Sequence, residues 1–119
     1  MLDLIPMAAP HVIGIHVTGK IEKDDILRAI EAAKVIIAGH DSVHVYVEAE
    51  DFDGISWEAL WEDMSFAFPN FRHFTRKAVV SDTRWMETLS KIGDKLCPGI
   101  EVRHFSPEEK AAAIKWIEE

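Results

Sequence analysis

Apolar and polar residues alternate along two stretches of this chain and recur at helical spacing along others. From His11 to Thr18, Ile13, Ile15 and Val17 face one way, while Val12, Gly14, His16 and Thr18 face the other. From Val43 to Glu48, Val43, Val45 and Val47 stand opposite His44, Tyr46 and Glu48. A period of two predicts strands. Parallel strands covered on both faces read as continuous apolar runs, but these two are strongly apolar on one side only. The expectation is a sheet with helices mainly on one face, the face of Ile13, Ile15, Val43 and Val45. The second face, with His16, His44 and Tyr46, should be wetter. Lys77–Ser81, Glu101–Phe105 and Met1–Ile5 are shorter strand candidates. The last of these reaches His11 through a short loop bounded by Pro6 and Pro10, which favours an antiparallel hairpin.

Helical spacing marks four further segments. Asp24 to Ala38 carries Ile26, Leu27, Ile30, Ala33 and Ile37 as a stripe, with Gly39 as its stop. A second helix begins at Ser56. A third takes Asp82 as N-cap and turns Trp85, Met86, Leu89, Ile92 and Leu96 inward. The fourth opens with Ser106-Pro107-Glu108-Glu109: a Ser N-cap, Pro at the first helical position and Glu at the capping-box position. Ala113, Trp116 and Ile117 are its inward residues. The order is ββαβαβαβα, an α/β fold with a mixed five-stranded sheet, its first two strands antiparallel and the others parallel. A chain of 119 residues fits a single domain, 1–119, with no repeat or linker.

Composition narrows the class. With 48% apolar and 29% charged residues, the chain can build a core and is not disordered. Thirteen basic against 21 acidic residues leave a net charge of −8, which repels phosphate and argues against nucleic acid. Cys97 is the one cysteine and has no intramolecular disulfide partner, which suits a reducing compartment. The N-terminal MLDLIPMAAP lacks a basic n-region, and no stretch approaches the roughly 18 apolar residues of a membrane span. The expected location is the cytoplasm.

Candidate chemistry is thin. His40 and His44 have a His-x-x-x-His spacing, but it runs from a loop into a strand, whereas two such ligands converge on a helix. Cys97 sits between Leu96 and Pro98 as a structural thiol. Gly54 and Gly93 stand alone, so no phosphate-cradling loop exists. Asp24-Asp25 and Glu62-Asp63 are adjacent pairs that point to different sides of a helix, a poor geometry for general acid–base work. The expectation is a domain that is not an enzyme and uses no metal or cofactor.

Aromatic residues are concentrated in one place. Phe52, Trp57, Trp61, Phe66, Phe68, Phe71 and Phe74 are seven of the chain's eleven aromatics, which comprise four Trp, one Tyr and six Phe. Trp57, Leu60, Trp61, Met64 and Phe68 fall on one helical face that packs on a sheet. At about 100° per residue, Phe66 lies opposite Trp57, and Pro69 ends the helix before Phe71 and Phe74. These rings exceed what one helix face buries; the excess marks an interaction site, or Phe66, Phe71 and Phe74 fill a second small core. Residues 48 to 71 hold seven acids and no Lys or Arg, and Arg72, Arg76 and Lys77 follow. Beside Phe rings, those cations suit an anionic head group with its acyl chain; pairing with the nearby acids is the alternative. Ser56, at a helix N-terminus, reads as an N-cap or as a regulatory phosphorylation site.

Several motifs also carry a family resemblance. They are Val17-Thr18-Gly19-Lys20 at a strand-to-turn junction, Glu48-Ala49-Glu50-Asp51-Phe52 after the third strand, Ser56-Trp57-x-Ala59-Leu60-Trp61-Glu62-Asp63, Ala78-Val79-Val80-Ser81-Asp82-x-x-Trp85, and Pro98-Gly99 before Glu101-Val102-Arg103-x-Phe105. In this order and spacing the chain resembles the SpoIIAA-like family, a branch of the STAS-like fold, over nearly its whole length. The resemblance implies a mixed sheet with helices mainly on one side. Its relatives imply two jobs: STAS domains bind partner proteins and are switched by phosphorylation, and similarly folded lipid-transfer domains carry nonpolar molecules. The signalling pattern places a Ser-Gly pair in the loop before the second helix; here that loop reads Asp51-Phe52-Asp53-Gly54-Ile55-Ser56-Trp57 and lacks the pair. Two readings result. One is a noncatalytic binding domain for a nonpolar, lipid-like ligand, or for a membrane surface, carried by residues 52 to 77. The other is a protein-interaction domain using the same apolar patch, self-association as a homodimer included.

Overall fold

A computed structural model describes residues 1–55, 73–81 and 101–119, apart from the side chains of 51–55 and 102. The elements are β1 (Leu2–Ile5), β2 (Val12–Ile21), α1 (Lys23–Gly39), β3 (Val43–Ile55), β4 (Phe74–Val80), β5 (Glu101–Phe105), a 3-10 turn (Pro107–Glu109) and a terminal helix, α2 (Lys110–Glu118). The helices expected from Ser56 and from Asp82 lie outside the described residues.

The strands form one sheet in the order β1-β2-β3-β4-β5. β1 and β2 are antiparallel, and the remaining pairs are parallel. The Pro-bounded hairpin loop and the alternating strands dictate this arrangement. β2 and β3 both run further than their alternation predicts, pairing out to Ile21 and Ile55. The expected turn at Val17–Lys20 is instead a bulge, with register shifts on both sides of Gly19. Gly19 has φ +59°, a conformation in which other residues are strained. The register passes over two residues of β3, Asp51 and Asp53, and this lets polar Lys20 pair with Gly54 and continue a ladder that pattern alone would end. As a result, 51–55 is strand rather than the loop expected there.

α1 starts at an acidic cap. The Glu22 backbone N–H donates to the Asp25 carboxylate at 2.9 Å, and Asp24 and Asp25 sit in the first turn, where the helix dipole favours them. Ile26, Ile30 and Ala33 are buried. Leu27, expected on the same stripe, is 39% exposed, because the step from Ile26 carries it to the rim of the helix. The terminal helix opens as its sequence predicts, with the Glu109 carboxylate accepting the Ser106 N–H at 3.0 Å.

The core has two layers, one on each side of the sheet. Ile26 and Ile30 of α1 pack with Leu2, Val17, Ile21, Val47 and Val79. Ala113 and Ile117 of α2 pack with Val12, Tyr46, Ala78 and Val80 on the opposite side. The expectation of a wetter face is therefore corrected: His44 and Tyr46 are buried beneath α2. Alternation reports polarity, not solvent, and these two residues reach under a helix because their polar atoms find partners there. Towards β1 the same face is closed by Met7, which lies so near Gly14 that a Cβ there would stand 2.7 Å from both the Met7 sulfur and the Ile5 carbonyl oxygen.

Candidate functional site

Parallel pairing brings one row of polar side chains under and around α2. His44, Tyr46 and Glu48 follow one another along β3, and His16 on β2 lies beside Glu48 in register. A carbonyl only accepts, so His44 donates its Nδ1–H to the Ile117 oxygen, at 2.6 Å. The His11 ring meets His44 edge-on at 4.8 Å. The Tyr46 hydroxyl donates to Glu48 at 2.8 Å, and Lys110 pairs with the same carboxylate at 2.9 Å. On β4, Arg76 donates to the Trp116 carbonyl at 3.1 Å and lies 3.9 Å from the Glu119 carboxylate. Two strand cations or donors thus meet the last carbonyls of α2, the end at which its dipole is negative.

The outer part of this face is aromatic and cationic. The guanidinium carbons of Arg76 and Arg103 lie 5.1 and 5.0 Å from the centre of the Trp116 ring, within cation–π range. Phe105 tilts against the same ring at 6.1 Å. Trp116 was expected to face inward; it is only half-buried, because Ala113 and Ile117 take the central positions.

The electrostatics follow the contacts. Burial pushes the Tyr46 hydroxyl well above its ordinary range, and Glu48 adds to the effect. Burial opposes ionisation of Glu48, but its bonds to Lys110 and Tyr46 outweigh this and hold it below the ordinary carboxylate value; Lys110 is raised in turn. For His44, burial first, then the positive field of His11 and Arg76, favours the neutral ring; the Ile117 carbonyl opposes them, and the net direction is down. A histidine held neutral stabilises the fold above its unfolded value of 6.5, and that contribution is lost as pH falls below it. Stability should therefore decline from pH 8 to pH 5. His44→Asn, which keeps an N–H donor without a titrating ring, should show a smaller decline in thermal melts over that range. An equal decline in the two proteins would refute the assignment.

Only part of the sequence-derived site falls among the described residues. Trp57, Trp61, Phe66, Phe68, Phe71, Arg72 and Ser56 lie outside the described residues. Phe52 stands on β3, paired with Gly19. Phe74 opens β4 and is half-buried. Arg76 and Lys77 are successive strand residues and project to opposite faces. Arg76 joins Trp116, so the structure does not bring these two cations together. His44 and His16 pair with Val12 and Glu48, which separates them by four residues, about 13 Å along the strand direction. Among the described residues no group of three His, Cys, Asp or Glu is placed to hold a metal. The Arg76–Trp116–Arg103 stack and the Glu48–Lys110 pair were not anticipated, although extending the β4 alternation back to Arg76 would have put Arg76 on the Tyr46 face.

One apolar hollow is present among the described residues, between the β1–β2 loop and the end of α1. It holds about 270 Å³ and is lined by Leu4, Met7, Pro10, Ile13, Ala32 and Ile36, among others. Ligand cavities run upward from about 300 Å³. No helix among the described residues is long and apolar enough to cross a membrane.

A single mixed sheet with a hairpin edge, three parallel pairings and a terminal helix docked over the third and fourth strands defines a compact α/β domain of the STAS type. The chain belongs to the SpoIIAA-like family, whose sequence profile matches residues 12–118. No curated protein matches it. Among solved structures it is similar to an uncharacterized protein of Shewanella loihica with a SpoIIAA-like fold, at 19% identity and TM-score 0.76, covering 98% of this chain and 92% of that one. It is also similar to the anti-sigma factor antagonist SpoIIAA in its unphosphorylated form, at 13% identity and TM-score 0.56, covering 97% and 98%.

Proposed function

We propose that this chain is a noncatalytic regulatory domain that acts by binding a partner protein. The observation that carries this reading is its likeness, over 97% of its length, to the anti-sigma factor antagonist SpoIIAA, together with its family membership. The site geometry supports it as well. His44, Glu48 and Arg76 are occupied in holding α2 to the sheet, which is a structural rather than a catalytic use. The half-buried Trp116 between two arginines has the composition of a protein-binding surface, in which Trp and Arg are enriched. A nonpolar-ligand function would rest on residues 52 to 77 and draws no support from the small hollow beside Leu4.

Native mass spectrometry of the protein purified from its own host tests the two readings together. A second protein bound in whole-number stoichiometry is the expected result. A lipid-sized adduct with no protein partner would overturn the proposal and restore the ligand reading.

A further inference from the structure

The two edges of the sheet are finished differently. At β1, Thr18 donates to the Met1 carbonyl and the Met1 amino group donates back to Thr18. Residues 1 and 18 are thus a hydrogen-bonded pair, and in an antiparallel ladder the next pair, Leu2 with Val17, is not. The N–H and C=O of Leu2 therefore point outward, and both are taken. The N–H meets the Asp25 carboxylate at 3.4 Å, and the C=O accepts from Arg28 at 2.9 Å. Pro6 follows the strand and supplies no donor. A side-chain pair from α1 thus stands where another strand would dock, one of the ways native sheets guard an edge.

β5 has no such guard among the described residues. Ser81 donates to the Phe105 carbonyl at 3.1 Å, so Phe105 points its backbone toward the β4 side. Alternation along the strand turns Arg103 and Glu101 the same way. The N–H and C=O groups of Val102 and His104 therefore point outward. Beside them, Glu101 and Arg103 are exposed on one face of the strand and only 3.5 Å apart.

We propose that two copies of this chain pair antiparallel through β5, around a two-fold axis at Val102. Each Val102 would donate its N–H to the other's carbonyl, which closes a hydrogen-bonded pair. The same register sets Glu101 against Arg103 of the second copy, twice, in the closely spaced non-hydrogen-bonded positions where cross-strand charges interact best. An axis at Arg103 would oppose that residue to itself, and one at His104 would oppose Arg103 to Phe105. Only the Val102 register is charge-complementary. An axis normal to the sheet keeps both copies of α2 on the same side, and stacking on Trp116 holds each Arg103 ready. The contact is isologous and therefore closes as a dimer.

Sedimentation equilibrium of the full chain over a concentration series in low salt tests this. Wild type should dimerise, and Glu101→Arg and Arg103→Glu should each weaken the dimer roughly tenfold by turning two attractive pairs repulsive. An equimolar mixture of the two variants should recover it as a heterodimer, because one carries two basic positions and the other two acidic ones. The double variant Glu101→Arg/Arg103→Glu should recover the homodimer. A wild type that stays monomeric up to its solubility limit would overturn the proposal. So would a dimer indifferent to both single changes, or single variants that neither the mixture nor the double variant rescues. None of these results bears on whether a different protein binds this domain.

Discussion

Ile117→Ala is expected to lower the unfolding free energy by about 2–5 kcal/mol, the range for truncating a buried Ile. Ile117 is fully buried and fills the space between α2 and the Val12, Tyr46, Ala78 and Val80 surface. Shortening it removes apolar contact and leaves a void that the rigid sheet does not fill. The carbonyl of the same residue anchors His44, so a shift of the helix also loosens that bond. α2 is terminal, and the loss is capped by the free energy of undocking the helix, beyond which α2 frays while the sheet stays folded. Urea unfolding measures the global loss, and hydrogen exchange in 110–118 measures the local one. A change below about 0.5 kcal/mol in both, the range of surface substitutions, would contradict the packing described for this helix.

Asp25→Ala is expected to cost about 2–3 kcal/mol, the scale for leaving buried donors unpaired beside a charged group. Asp25 is buried, and its carboxylate receives the N–H groups of Glu22 and Leu2 and the Arg28 guanidinium at 2.6 Å. Arg28 is largely exposed and can turn to water, so the penalty falls mainly on the two backbone donors. Asp25→Asn retains an acceptor and should cost less than Asp25→Ala. Burial raises the Asp25 pKa, but these bonds to Glu22, Arg28 and Leu2 outweigh burial, and the net value lies below the unfolded 3.8. A carboxylate depressed in the fold stabilises it above the unfolded value, and the contribution is lost as pH falls through the folded one. The stability gap between wild type and Asp25→Ala should therefore be full at pH 6 and narrow below pH 3.8. A gap that stays constant through that range would show that the carboxylate charge plays no part.

Much of the architecture was legible from pattern. The alternation of Ile13, Ile15 and Val17 and of Val43, Val45 and Val47 identified the two central strands, and the short Pro-bounded loop identified the antiparallel pair. Ser106 and Glu109 marked the start of the terminal segment through bonds made within one turn. The extent of β2 and β3 was not legible. A bulge at Gly19 and pairing from a neighbouring strand carry them through polar residues whose own preference is for a turn. The candidate site was less legible still. Arg76 and Lys77 are adjacent in the chain and therefore looked like one cationic feature, yet strand alternation sends them to opposite faces.

By itself, then, the amino-acid sequence determined what depends on near neighbours: the period of each element, the caps, the hairpin, the apolar rows and the family. Only the tertiary structure decided that α2 lies over His44 and Tyr46, that Trp116 collects Arg76 and Arg103, and that Asp25 and Arg28 from α1 meet the outward backbone groups of Leu2 at the β1 edge. These contacts join residues from 13 to 73 positions apart. Their partners are chosen by which strand lies beside which and by which backbone groups are left to satisfy, and no local pattern carries that information.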